Sequence, residues 1–306
     1  MTGSAGATDA RALAALTAGA ILIGLAPIFV RLSDVGPVAC GFWRAALAWP
    51  LLALAAWREP TLAPRLADRK LLFFAGLFFA ADLAFWHVSI GATSVANATL
   101  LANVAPVFVA AAAWLLFRER ITAGFLAGLV LALAGAGILV GHSASLSSET
   151  AFGDGLAVIA AVFYAGYLMT VSHLRRAQST LTVMAWTSFV VAVSLLGVAL
   201  LLGERIWPSS LQGWLVLVGL ALLSHIGGQG LIAYALAHLP TSFSAVGLLV
   251  QPLAAAVFAW SLLREPFGWQ QAIGGLVVLA GITLCRLSGE RVRATSDPSD
   301  PAASTR

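Results

Sequence analysis

This sequence predicts an all-α integral membrane protein of ten transmembrane helices, arranged as a 5+5 inverted-topology repeat. Three observations predict it. The first is composition: of 306 residues, 60% are hydrophobic and 10% charged, and the mean hydropathy is +0.94. A soluble domain carries about 25% charged residues, so the solvent of this chain is lipid. The second is repetition at a constant offset of 146 residues: Pro106 falls on Pro252, Trp114 on Trp260, Arg118-Glu119 on Arg264-Glu265, Gly128 on Gly274 and Gly135 on Gly281. The third is the distribution of positive charge, which fixes orientation.

A spanning helix needs roughly 20 mostly apolar residues. Ten segments qualify: 12–30, 36–57, 71–89, 95–116, 122–140, 154–172, 181–202, 212–236, 241–263 and 268–286. Residues 1–11 form a small polar cytoplasmic tail with no cleavable-signal pattern, so the first span is expected to be an uncleaved anchor. Residues 12–141 make the first five-helix unit and 154–287 the second. Residues 288–306 are polar, carry two prolines, and are expected to be disordered and cytoplasmic. With the N-terminus inside, the inner segments hold Arg11, Arg58, Arg65, Arg69, Lys70, Arg118, Arg120, Arg175, Arg176, Arg286, Arg291, Arg293 and Arg306, against Arg31, Arg205 and Arg264 outside. That bias places both termini in the cytoplasm. Five spans per unit is an odd number, so the second unit enters the membrane upside down. Its turn, Leu263-Arg264-Glu265-Pro266, has one Arg fewer than Phe117-Arg118-Glu119-Arg120, as an outward turn should.

Arg44 lies inside a span, and Asp82 is the only carboxylate inside one. Such a group costs at least ~2.5–3.5 kcal/mol on the insertion scale, so it needs a partner or water. Counted from the inner ends of their helices, the two differ in depth by about 3 Å. They read either as a charge pair lining a cavity or relaying a proton, or as a structural ion pair fixing two helices. His87 and His225 are intramembrane histidines suited to proton coupling and equally to packing. Trp86 stands one turn from Asp82. His225 stands one turn before Gln229, in the glycine-rich run Gly227-Gly228-Gln229-Gly230.

Pro106 and Pro252 lie near mid-membrane in equivalent spans and each removes a helix hydrogen bond; they are the candidate hinges. Thr99, Asn103 and Pro106 share one face at i, i+4, i+7, and Gln251 precedes the second proline. Amides donate and accept, which suits the two ends of a zwitterion. Tyr164 and Tyr167, one turn apart with Phe163 and Trp186 nearby, offer an aromatic wall or ordinary packing. Trp57, Trp207, Trp214 and Trp269 read as an interfacial belt. Gly124, Gly128 and Gly135, with Gly274 and Gly281, read as close helix packing.

The net charge of +4 is spread in short clusters and points to no nucleic acid. Cys40 and Cys285 lie in apolar runs and offer no metal spacing and no disulfide framework. No cofactor or metal is expected. No Walker A string, H-E-x-x-H or G-x-S-x-G is present. An intramembrane enzyme using Asp82 and His87 on a small or lipid-linked substrate, or a channel, is the alternative to a carrier.

Ten spans, an inverted repeat and the doubled Pro…Arg-Glu…Gly…Gly string resemble the drug/metabolite transporter superfamily. Each half looks like an EamA domain over about residues 12–286, and Arg44 matches that family's Arg in the second span. The second half has no such Arg around Ser188 to Val191. The resemblance implies secondary transport, often export, of amino acids or other small metabolites, with YddG-type bacterial amino-acid exporters the nearest analogy. It implies partners limited to the bilayer and a small-molecule substrate.

Overall fold

The computed structural model describes residues 2–59, 64, 66–93, 95–118, 121–140, 151–264 and 268–295. The expected charged turns at Glu119-Arg120 and Glu265-Pro266, and residues 296–306, lie outside the described residues. Every regular element among the described residues is helical. The first half comprises α1 (Thr2–Gly24), α2 (Ala26–Leu32), α3 (Pro37–Trp57), α4 (Leu66–Ala92), α5 (Val95–Ala102), α6 (Ala105–Phe117) and α7 (Ala123–Val140). The second comprises α8 (Ala151–Leu174), α9 (Thr180–Leu201), α10 (Leu211–Gly219), a π-helical segment (Leu220–Gln229), α11 (Gly230–Ala235), α12 (Thr241–Gly247), α13 (Val250–Leu263) and α14 (Trp269–Thr295).

Among the described residues these helices make nine segments long and apolar enough to cross a membrane, including Ala10–Leu32, Thr241–Leu263 and Trp269–Gly289. The tenth expected span is the shorter apolar helix Ala123–Leu139, which rises about 25 Å at 1.5 Å per residue and sits at the lower end of the spanning range. The chain is a multi-pass membrane protein. Large apolar side chains such as Leu116, Val130, Leu201 and Leu215 are exposed on its flanks, as a lipid-facing surface requires.

Among the described residues, four spans are interrupted. Pro27, at the second position of α2, has no amide to close the helix onto Ile23, and the chain breaks at Leu25. Pro106 stands in the same place in α6, after a break at Asn103–Val104. Pro252 is the third residue of α13, after a break at Leu248–Leu249. The expected breaks at Pro106 and Pro252 are therefore present, and the one before Pro27 is additional. The fourth irregularity is the π-helical stretch that carries His225 and the glycine run. At the far ends, α6 and α13 both stop on an arginine in the left-handed region, Arg118 at φ 52° and Arg264 at φ 56°. Those two residues are 146 apart.

The helix pairings are unchanged when the two halves are exchanged. α3 packs on α9 and α7 on α14; α1 packs on the π segment, α11 and α13, as α8 packs on α4, α5 and α6. The α7–α14 seam is held by the repeated glycines. A Cβ on Gly135 would sit 2.5 Å from the Val278 amide nitrogen, and one on Gly281 2.5 Å from that of Ala132. Only glycine lets these backbones approach so closely.

Several helix ends reach past their expected bounds: α1 begins at Thr2, within the residues read as a polar tail, and α4 at Leu66. The last helix runs on to Thr295, into the segment read as a disordered tail. Gly289-Glu290-Arg291-Val292-Arg293-Ala294 contains no proline, and the first helix breaker past it is Pro298.

Candidate functional site

A cavity of about 130 Å³ opens where the interrupted spans meet. The first half contributes Arg44 from α3, Asp82 and Trp86 from α4, and Thr99 and Asn103 from the end of α5. The second contributes Tyr164 from α8, Gln229 from the π segment, and Gln251 with Pro252 from α13. Seven of the ten residues expected to line a cavity do so. Pro106 is buried but is not part of the wall.

The broken helices place the polar groups. The Asn103 backbone amide closes a last helical turn onto Thr99 O at 3.1 Å, and its side-chain Nδ2 donates to the same carbonyl at 2.8 Å. At the second break, the Gln251 amide folds back to Leu248 O at 2.9 Å. The side-chain atoms Gln251 Nε2 and Gln229 Oε1 are buried with no hydrogen-bond partner. Unpaired buried amide atoms are costly, so two such atoms beside one cavity mark it as a place where a polar ligand completes the network.

The charges are arranged differently from expectation. Arg44 and Asp82 share the cavity, but no ion pair within 4.0 Å joins them among the described residues. Arg44 Nε instead donates to His225 Nδ1 at 3.3 Å, and the guanidinium lies 5.6 Å from the centroid of Phe79. Arginine can only donate, so His225 Nδ1 is an acceptor, the imidazole is neutral, and its proton is on Nε2. Nε2 then donates to Ser188 Oγ at 2.8 Å. Arg44 and Asp82 thus face one cavity without a direct ion pair among the described residues, while the π segment brings His225 to the arginine's Nε.

Three further expectations move one layer back from the wall. His225 is fully buried beneath Arg44. Tyr167 stacks on Phe79 with centroids 4.5 Å apart, and Phe79 stacks on His225 at 6.0 Å. These rings form a floor under the charges. His87, one residue past Trp86, points around the helix toward Gly41 of α3; its Nδ1 bonds Leu83 O at 2.7 Å and its Nε2 has no partner. Phe163 packs with Phe78 and Phe85, and Trp186 lines a separate lipid-side groove with Trp49 and Phe189. Neither joins Tyr164 at the cavity.

Phe79 and Pro27 were missed. Phe79 had a signal: it precedes Asp82 and Trp86 by three and seven residues, one helical face. Pro27 had one too, as a proline inside an apolar run. Ser188, the anchor for His225, had none.

Hydrogen-bonded clamps join the helix ends, and none of their residues lines the cavity. At one end Glu204 accepts from the amides of Val38 at 3.3 Å and Ala39 at 2.8 Å, at the start of α3. Asp34 accepts from Ser209 N at 2.9 Å and Oγ at 2.7 Å. Trp43 Nε1 donates to Ile206 O at 2.7 Å, within a cluster of Trp43, Trp207 and Trp214. Trp214 is therefore a clamp residue as well as a belt residue. At the other end Ser179, which caps α9, donates to Glu59, Gln178 donates to Asp68 at 2.8 Å, and Arg175 Nε donates to Ala233 O at 3.0 Å.

A polar cavity walled by both halves of an internally repeated helical bundle is the architecture of a membrane carrier. The chain belongs to the EamA-like transporter family, whose model matches residues 10–141 and 151–287. It is similar to an uncharacterized transporter of Archaeoglobus fulgidus, 29% identical over 267 residues, 84% of this chain and 91% of the relative. It is also similar to the pseudopaline exporter CntI of Pseudomonas aeruginosa, 25% identical over 246 residues, 80% of this chain and 84% of the relative. A solved crystal structure superposes with a TM-score of 0.78 at 17% identity, covering 92% of this chain and 99% of that one, a likeness of fold. The protein is a transporter, and its relatives are named as transporters rather than enzymes.

Proposed function

We propose that this protein is a secondary carrier that exports small amphiphilic metabolites, foremost amino acids as in the YddG-type exporters, across a bacterial inner membrane by alternating access. The observation that carries this reading is the cavity itself. It offers one cation, one anion and unpartnered amides, set among Phe79, Leu83, Trp86 and small residues. Those groups complement a zwitterion with an apolar side chain. At about 130 Å³ the cavity is smaller than the roughly 300–1,000 Å³ common for drug-sized ligands. The broken helices at Pro106 and Pro252 supply hinges related by the repeat. Both termini in the cytoplasm and an inverted second half follow from the arginine distribution. Outward direction is supported by the CntI relative, which is named an exporter.

The test is purified protein in liposomes with a panel of labelled amino acids. Saturable flux is expected for apolar amino acids. Gln251→Ala removes one hydrogen bond to the solute, so its apparent affinity falls by about two- to tenfold, the equivalent of ~0.5–1.5 kcal/mol. If no amino acid moves saturably, and Gln251→Ala is silent for any solute that does, the substrate class and site are both wrong. Orientation is checked by cysteine labelling in a chain lacking Cys40 and Cys285. External reagent should reach position 209 and not position 179.

A further inference from the structure

We propose that the groove between α3 and α9, on the outside of the bundle, binds a phospholipid whose headgroup ends in a primary ammonium, phosphatidylethanolamine. Glu59 takes the ammonium and the aromatic walls take an acyl chain. The groove is separate from the central cavity and shares none of its lining residues.

The two helices present matching faces. On α3, Trp49, Ala53, Ala56 and Trp57 recur at i, i+4, i+7 and i+8. On α9, Thr182, Ala185, Trp186 and Phe189 recur at i, i+3, i+4 and i+7. The alanines leave a trough between the rings, with a volume of about 530 Å³ against about 130 Å³ for the central cavity. Polarity changes along it in one direction. At the apolar end Trp49 meets Phe189, ring centroids 5.2 Å apart. At the other end stand Thr182, Pro64 and Glu59, past the exposed indole of Trp57. From Trp49 to Glu59 the chain rises about 15 Å, half of a hydrocarbon layer of about 30 Å. The trough therefore spans one leaflet, with its polar end at the interface, the depth that tryptophan favours.

Glu59 selects the headgroup. Its Oε2 accepts from the Ser179 hydroxyl, and no hydrogen bond among the described residues reaches Oε1. Arg175 acts on this carboxylate through space, but no ion pair within 4.0 Å joins the two among the described residues. Its Nε and Nη1 donate instead to the backbone carbonyls of Ala233 and Gln178. A carboxylate takes a primary ammonium through a charge-assisted hydrogen bond, and an exposed indole attracts the same charge through its ring face. A trimethylammonium head cannot donate that hydrogen bond. A glycerol head has no cation and brings a net negative phosphate toward the carboxylate. Arg58, exposed at the same helix end, is the counter-charge for the phosphate of the bound lipid. α3 and α9 also carry Arg44 and Ser188, the two residues that hold His225, so an occupant of the trough braces the helices behind the central cavity.

The experiment titrates the full chain in detergent with dioleoyl phosphatidylethanolamine, phosphatidylcholine or phosphatidylglycerol, and counts retained lipid by native mass spectrometry. The wild type should hold one phosphatidylethanolamine about tenfold more tightly than either of the other two. Glu59→Gln keeps an acceptor for Ser179 and loses the charge, so the three lipids should fall within about twofold of one another. Ala185→Leu fills the floor of the trough and should weaken all three. Should Glu59→Gln fail to fold, the wild-type ranking and Ala185→Leu still decide. Equal retention of the three lipids by the wild type, or tighter retention of phosphatidylglycerol, overturns the site. So does a phosphatidylethanolamine preference that survives in Glu59→Gln, or retention unchanged in Ala185→Leu. Wild-type dimers that Ala185→Leu abolishes, with no lipid preference, would give the groove to a second copy of the chain and overturn it as well.

Discussion

Two groups of helices occupy matching places in this bundle and are built differently. The first span packs on the eighth and ninth; the sixth packs on the third and fourth. In the first group all three members are irregular, with a break at Leu25, a π-helical run at Leu220–Gln229 and a break at Leu248–Leu249. In the second, α8 and α4 run unbroken for 24 and 27 residues, and only the fourth span is interrupted. Asp82, Trp86 and Phe79 stand on straight α4, whereas Gln229 and Gln251 stand on the irregular group. An unbroken hydrogen-bond ladder resists bending, and proline gaps and π turns are where bending concentrates. Under the proposed function, the straight side holds Asp82 in place and the irregular side is the one that flexes around the solute.

The contrast is sharpest at two glycines in equivalent spans. A Cβ on Gly19 would lie 2.8 Å from Gly228 O and 2.9 Å from Ile232 Cγ1, whereas one on Gly166 would lie 3.3 Å from the ring of Phe78. Gly19→Ala forces backbones apart and should destabilise by about 1–3 kcal/mol. In Gly166→Ala a small shift of the ring is offset by about 0.5–1 kcal/mol gained from removing a helical glycine, so the net change should be close to zero. Thermal unfolding of the two variants measures this, and equal losses would erase the distinction between the groups.

The prolines come next. Pro252→Ala and Pro106→Ala should leave insertion intact and slow turnover, by about tenfold for Pro252, a barrier change of ~1.4 kcal/mol. Pro106→Ala should slow it less, because Pro252 lines the cavity on the flexible side and Pro106 does not. Rates measured in liposomes check this, and unchanged rates in both would reduce them to packing residues.

The smallest effect belongs to the clamp at Asp34. The Ser209 hydroxyl, the Ser209 amide and Ser210 stabilise its charged form and hold its carboxyl below the ordinary 3.8, against a partial cost of burial. A depressed carboxyl contributes stability above the unfolded value and loses it as pH falls through the folded one. Wild type should therefore be slightly more stable than Asp34→Asn at pH 7, and the difference should close below pH 3.8. A difference that persists in acid would mean the clamp acts through shape and not charge.

Much of this was legible in the sequence because it depends on pattern. Apolar runs of about 20 residues define the spans, and prolines at positions 106 and 252 mark two of the breaks. The seam glycines recur at the offset that later pairs α7 with α14. The shared face of Thr99 and Asn103 placed both on the cavity. What was not legible depends on local departures from the regular helix. A π turn rotates the residues beyond it relative to an ideal ladder, so His225 reaches Arg44 and Ser188, contacts that no helical spacing encodes. His225 engages the arginine's Nε, no ion pair within 4.0 Å joins Arg44 to Asp82 among the described residues, and similar depth in two helices is no guide to a direct contact. His87 shows the finer limit. One residue along a helix is about 100° of rotation, enough to turn it away from the cavity that Trp86 lines.

The α7–α14 seam has a consequence for which parts of the bundle can move. A Cβ on Gly135 or on Gly281 would sit 2.5 Å from a backbone nitrogen of the facing helix, so the two helices have no slack to slide or turn against each other. One belongs to the first half and the other to the second, so this edge acts as a fixed hem, and any rearrangement of the bundle has to be taken up by the interrupted spans.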